Sequence, residues 1–218
     1  MKLFQNVLEL PHPFSITTIA NWRKYPNDHS RQVIAVDVLD RTINQQTNVL
    51  RTERLLTCRQ NVPWIIKKLG LPIPELTYVR EISDLDLNTM TYTARSVNLS
   101  LRNLITVEEM CIIRPSPSSP STASEFTQSA KITALGCIST MARLVEEAAV
   151  NRFKANATLG HLGLQQICDN VVAEAKELVD EAEKLVDEAK GKVDHAFKDA
   201  FAREYMSFEN RRDSRRSI

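Results

Sequence analysis

Glycine is scarce in this chain, at five of 218 residues. A Gly-rich phosphate cradle needs backbone amides unobstructed by Cβ atoms, and the sequence holds no such loop, no GxSxG and no HExxH. The four cysteines, Cys58, Cys111, Cys137 and Cys168, are scattered. None forms a CxxC pair or has a histidine at zinc-finger spacing, so they read as small buried hydrophobes, and neither a metal nor a cofactor is expected. A formal net charge of +1 leaves no basic footprint for nucleic acid, which is not expected as a partner. No run approaches the roughly 18 apolar residues of a membrane span. The opening MKLFQNVLELPHPF has neither a signal-peptide core nor an Arg/Ser-rich transit pattern. A soluble protein is expected, entering any organelle by another route.

What is present is an ordinary globular mixture, 43% hydrophobic and 25% charged, long enough for one domain and an appendage. Residues 1–10 alternate weakly and predict a strand ended by Pro11 and Pro13. Residues 14–25 predict a helix stopped by Pro26. Residues 32–43 and 49–59, rich in β-branched side chains around a polar turn, predict a hairpin. Residues 77–87, 89–100, 105–114 and 125–135 predict four more strands, with the Pro/Ser-rich stretch RPSPSSPSTAS as a loop. Strands in hairpin series with a helical end predict an α+β fold built on a seven-stranded antiparallel sheet. Asp37, Asp40, Asp84 and Asp86 are read as solvent-face or turn carboxylates, and no enzyme is expected.

From Ser139 the period becomes helical. Met141, Leu144, Val145 and Ala148 form an apolar stripe, and at about 100° per residue Arg152 falls inside that arc with Asn156 beside it. A buried guanidinium requires a partner. Arg152 therefore lies at an exposed helix end, pairs with a carboxylate of the sheet, or meets an anionic ligand, which its planar donor fork suits. The segment NVPWIIKKLGLPIP (residues 61–74) sets Trp64, Ile65, Ile66 and Leu69 around Lys67 and Lys68. It is either a buried loop or core helix, or an exposed lid of membrane-interface composition.

Several collinear stretches carry a resemblance: ANWRKYPN (20–27), VIAVDVLDR (33–41), RLLT (54–57), VPW (62–64), YVREISDLDLN (78–88) and RFKAN (152–156). From residue 1 to about residue 161 the chain resembles the PRELI-domain lipid-transfer proteins, the PRELI, slowmo and Ups proteins. The resemblance implies a START-like fold, with seven curved antiparallel strands wrapped on a long C-terminal helix around a lipid cavity. It implies transfer of a glycerophospholipid between the outer and inner mitochondrial membranes, and residence in the intermembrane space with transient membrane docking. It further implies a small helical partner with twin CX(9)C motifs. VIAVDVLDR and VREISDLDLN look more like the phosphatidylserine-carrying branch, which places phosphatidylserine first and phosphatidic acid second.

Carried over by position, Lys24, Arg152 and Asn156 are the implied head-group residues. Val62, Trp64, Ile65, Ile66, Lys67, Lys68 and Leu69 form the implied lid and membrane-docking segment. Where phosphatidic-acid carriers place lysines this chain has Cys58, Asn61 and Leu159, which thins the positive charge and fits a zwitterion-bearing head group better than a bare phosphate. The lid motif is one residue short. A lipid sensor or scaffold that binds without transferring is the alternative.

The expected organisation is a lipid-transfer domain at 1–170, a heptad-like amphipathic helix at 171–206 and a basic disordered tail at 207–218. AEAKELV, DEAEKLV and DEAKGKV repeat every seven residues, consistent with a coiled coil, a surface-lying helix or a solvated helix weakly packed on the domain.

Overall fold

A computed structural model describes residues 1–59, 74–135 and 139–214, and of residues 139–141 and 200–214 the backbone alone. The seven strands are β1 (Lys2–Leu10), β2 (Val33–Asn44), β3 (Val49–Arg59), β4 (Leu76–Asp86), β5 (Thr91–Asn98), β6 (Ile105–Pro115) and β7 (Ser124–Ala134). They form one antiparallel sheet in the order β1-β7-β6-β5-β4-β3-β2. Hairpins join β2 through β7, and only β1 pairs out of sequence, against β7. With helix α1 (Phe14–Arg23) and the long helix α2 (Ser139–Ser214), this is the START-like arrangement of a curved antiparallel sheet and a C-terminal helix.

Strand parity decides what faces inward. Along β7, Ser124, Phe126, Gln128, Ala130 and Ile132 are buried in alternation. Phe14 of α1 and Leu164 and Cys168 of α2 join Tyr92, Ile113 and Phe126 of the sheet in one apolar cluster. Phe4 of β1 meets Phe153 of α2 edge to face at 5.1 Å between centroids.

Helix α1 ends at Arg23, two residues before the predicted end. The residue preceding a proline is pushed out of the helical region, so Tyr25 cannot continue the helix, and Lys24, still in the helical region, caps it. The Tyr25–Pro26 bond is cis. Asp86, the last residue of β4, caps the turn that follows, accepting from the backbone N–H of Asn88 and of Thr89 at 2.9 and 3.2 Å, and Asp37 and Asp40 are exposed, as their positions predict.

Helix α2 differs from its predicted packing. Leu144, placed on the buried stripe by periodicity, is 51% exposed, whereas Glu146, Val150, Ala157, Leu164, Cys168 and Val171 are buried. The packed face is thus rotated from the Met141–Ala148 arc. The reason is Glu146, a charge that pattern reading assigns to solvent. Its carboxylate accepts from the Met1 ammonium at 2.5 Å and from the Ala134 N–H at 3.1 Å, so it is buried with its partners.

Two compact units divide the chain, Met1–Val171 and Val172–Ile218. In the second, residues 172–199 are all exposed, including the heptad positions Leu178, Leu185 and Val193. Helical backbone continues through 207–214, where composition predicts disorder. Each residue added to an existing helix gains a hydrogen bond without a new nucleus.

Candidate functional site

Antiparallel register places a row of polar side chains across the inner face of the sheet. Arg54 lies opposite Glu81, Glu81 opposite Ser96, and Ser96 opposite Glu109. Each lies on the inward-facing side of its strand; Glu109, for instance, shares its side of β6 with Cys111 and Ile113. Arg54 and Glu81 are 2% and 8% exposed. Arg54 Nε and Nη2 both donate to Glu81 Oε1, at 2.9 and 2.5 Å, and Nη1 donates to the Trp22 carbonyl at 3.0 Å. The guanidinium also lies 4.7 Å from the Trp22 ring centroid. Glu109 accepts instead from Gln128 Nε2 at 2.5 Å, Ser96 Oγ at 3.1 Å and Cys111 Sγ at 3.4 Å.

The turn after α1 brings Lys24 over this row. Asn27 fixes the turn, its side chain accepting from the His29 N–H at 2.8 Å and its amide donating to the Lys24 carbonyl. The turn abuts α2 at Gly163, where a Cβ would lie 3.0 Å from Asn27 Oδ1. A side chain there would need Asn27 to shift by a few tenths of an ångström. The Lys24 ammonium lies 5.0 Å above the Tyr25 ring centroid. Among the described residues no hydrogen bond or ion pair reaches it. Burial acts to lower its pKa, but the negative forms of Tyr25, Cys111, Glu81 and Glu109 outweigh it and raise the pKa above its ordinary value. At neutral pH the phenol and thiol are uncharged, so the two carboxylates supply the field that keeps Lys24 protonated.

Helix α2 closes the other side. Arg152, Asn156 and His161 line one cavity of about 230 Å³ with Lys24, Glu81, Glu109 and Gln128. All three head-group residues expected from sequence therefore border the same space, Arg152 from the flank of α2 and not from the centre of its packed face. Cys58, at a position expected to thin the charge, lies in the same wall. Burial raises its thiol pKa, which Arg152 partly offsets. Leu159 is exposed, Asn61 lies outside the described residues, and so do the lid positions Val62, Trp64, Ile65, Ile66, Lys67, Lys68 and Leu69.

Sequence reading missed Glu81, Glu109, Gln128 and His161. For the three strand residues the available signal was a polar residue at core parity; His161, on α2, gave no such signal. His161 packs edge to face on Phe126 at 5.2 Å. Burial, helped by Lys24, lowers its pKa from 6.5 to about 4, so it is neutral at physiological pH. Its Nε2 and Gln128 Oε1 are buried without a hydrogen-bond partner among the described residues. The same region holds no group of metal ligands among the described residues. Burial raises the thiol pKa of Cys111 and pushes that of Cys168 up to about 11, so neither is an activated nucleophile.

A larger groove of about 800 Å³ lies on the outer side of the sheet, bordered by Arg80, Ile82, Met110 and Lys131. Two of its cations have partners, Arg80 with Glu53 at 2.7 Å and Lys131 with Glu108 at 3.6 Å, and the other two, Arg95 and Arg102, are exposed to solvent. The smaller inner cavity, with an unpaired ammonium and two orphaned polar atoms, is the better candidate for an anionic ligand.

The chain is 44% identical over 168 residues to Protein UPS2, mitochondrial, of Saccharomyces cerevisiae, covering 77% of this chain and 72% of that one. It is 36% identical to UPS-like protein C36.10 of Schizosaccharomyces pombe, over 78% of this chain and 91% of the relative. It is 28% identical to PRELI domain-containing protein 1, mitochondrial, of Gallus gallus, over 78% and 79%. The model of the PRELI-like family matches residues 16–175, which span the cavity-lining residues Lys24 to Leu164, and the chain belongs to that family.

Proposed function

We infer that the protein is a phospholipid carrier, moving a glycerophospholipid between the outer and inner mitochondrial membranes through the intermembrane space. The observation that carries this reading is the convergence of Lys24, Arg152 and Asn156 on one cavity between sheet and helix. Two cations and an amide donor suit a phosphodiester, and the apolar part of the cavity wall, with Val33, Leu56, Val79, Ala94 and Phe126, suits an acyl chain. Phosphatidylserine is the first candidate and phosphatidic acid the second, since Cys58 stands in the wall where a further lysine would favour a bare phosphate. The mitochondrial names of two relatives support the compartment. A small twin-CX(9)C helical protein is the expected partner, and residues 62–69 are, on their sequence, the membrane-docking segment.

Native mass spectrometry of the purified chain should show bound phospholipid, and labelled lipid should pass from donor to acceptor liposomes. Arg152→Glu should abolish extraction with the circular dichroism spectrum unchanged. Normal transfer by that variant would sink the site. Stable lipid binding with no transfer would favour the sensor or scaffold reading.

A further inference from the structure

The two carboxylates of the inner row are compensated differently. Glu81 has a guanidinium bound to it. Glu109 accepts hydrogen bonds only from an amide, a hydroxyl and a thiol, all neutral, and no ion pair reaches it among the described residues. Its charge acts on Lys24 across the cavity without a direct ion pair, so the carboxylate still faces the cavity as a charged acceptor. Beside it stands a second acceptor. Gln128 is 8% exposed, and its amide orientation is set by Glu109, because a carboxylate can only accept and so takes the Nε2 side. Oε1 is thereby turned away from Glu109, and it is buried with no donor among the described residues. Both residues line the cavity that holds Lys24 and Arg152.

We propose that Glu109 and Gln128 form a subsite for a primary ammonium on the lipid head group. The phosphate lies toward Lys24 and Arg152, the ammonium against the Glu109 carboxylate and Gln128 Oε1. An ammonium supplies up to three donors and one positive charge, which matches a charged acceptor with a neutral one next to it. A hydroxylated head group supplies donors but no charge. A trimethylated one supplies charge but no N–H. A bare phosphate would face Glu109 as a like charge. Ethanolamine and serine head groups share the required chemistry. The inference rests on the carrier reading and deepens it by naming the residues that select the head group.

The test uses the full chain and liposomes carrying, in turn, phosphatidylserine, phosphatidylethanolamine, phosphatidylcholine or phosphatidic acid. The unaltered protein should transfer at least one of the two primary-amine lipids faster than phosphatidylcholine, a comparison that needs no variant. Glu109→Gln keeps size and hydrogen bonding but removes the charge. It should lower the ratio of amine-headed to phosphatidic acid transfer about tenfold, the scale of one lost charge-assisted hydrogen bond. Gln128→Met should lower the same ratio by less. Serine above ethanolamine, or the reverse, identifies which amine the subsite serves. Equal transfer of choline and amine lipids, or an unchanged ratio in Glu109→Gln, overturns the subsite alone. Transfer of no lipid by the unaltered chain overturns the carrier reading and the subsite with it.

Discussion

Arg54 gives two of its N–H groups to a single oxygen of Glu81, with both side chains almost wholly buried. The pair closes the β3–β4 end of the polar row and leaves Arg54 committed to the protein. Removing one partner strands a buried charge. Glu81→Leu should cost about 3–5 kcal/mol in urea denaturation, and adding Arg54→Met should recover most of that loss. A single-variant loss below about 1 kcal/mol would show that water compensates the pair.

Lys24 differs: among the described residues no hydrogen bond or ion pair reaches it, and it borders the cavity in the field of Glu81 and Glu109. Lys24→Met keeps the stem and removes the ammonium. Extraction of anionic phospholipid should fall about tenfold or more, and the melting temperature should drop, because Glu81 and Glu109 lose a favourable charge. Retained extraction in a liposome assay would remove Lys24 from the head-group set.

His161 makes stability pH-dependent. Its pKa is about 4 in the folded protein against an ordinary value of 6.5. Above pH 6.5 both states are neutral there and it contributes nothing to the dependence. As pH falls from 6.5 toward 4 the unfolded chain takes up a proton that the folded chain does not, so stability declines across that window. Melting temperatures at pH 7.5, 5.5 and 4.5 should show the decline, and His161→Phe should flatten it. An identical slope in the variant would assign the effect elsewhere.

Gly163 and Gly160 should respond oppositely to alanine. In a helix the substitution ordinarily gains up to about 1 kcal/mol. Nothing lies within 4 Å of a Cβ at Gly160, so that gain should appear in its melting temperature. At Gly163 the new methyl would press on Asn27, whose side chain is held at both ends by the turn that carries Lys24. Gly163→Ala should lose stability and slow lipid extraction; a gain equal to that of Gly160→Ala would show that the turn yields freely.

Shortening the chain after Lys176 should leave lipid extraction unchanged. Among the described residues, those lining the cavity all lie at or before Leu164, within the unit Met1–Val171. A loss of extraction in the liposome assay would give residues 177–218 a part in the site.

By itself the sequence determined the elements of the first unit. Period-two and period-3.6 patterns, prolines at strand and helix ends, and polar turns are local signals, and local sterics suffice to read them. The motifs from ANWRKYPN to RFKAN determined the family in the same way. The tertiary structure decided which face of α2 is buried, because the carboxylate of Glu146 is admitted by donors 12 and 145 residues distant in sequence. It also decided which polar groups share a cavity. Arg54, Glu81, Ser96 and Glu109 become neighbours only through strand register. Whether a charge is spent on a partner, as in Arg54, or held open, as in Lys24, depends on distances that no local pattern encodes.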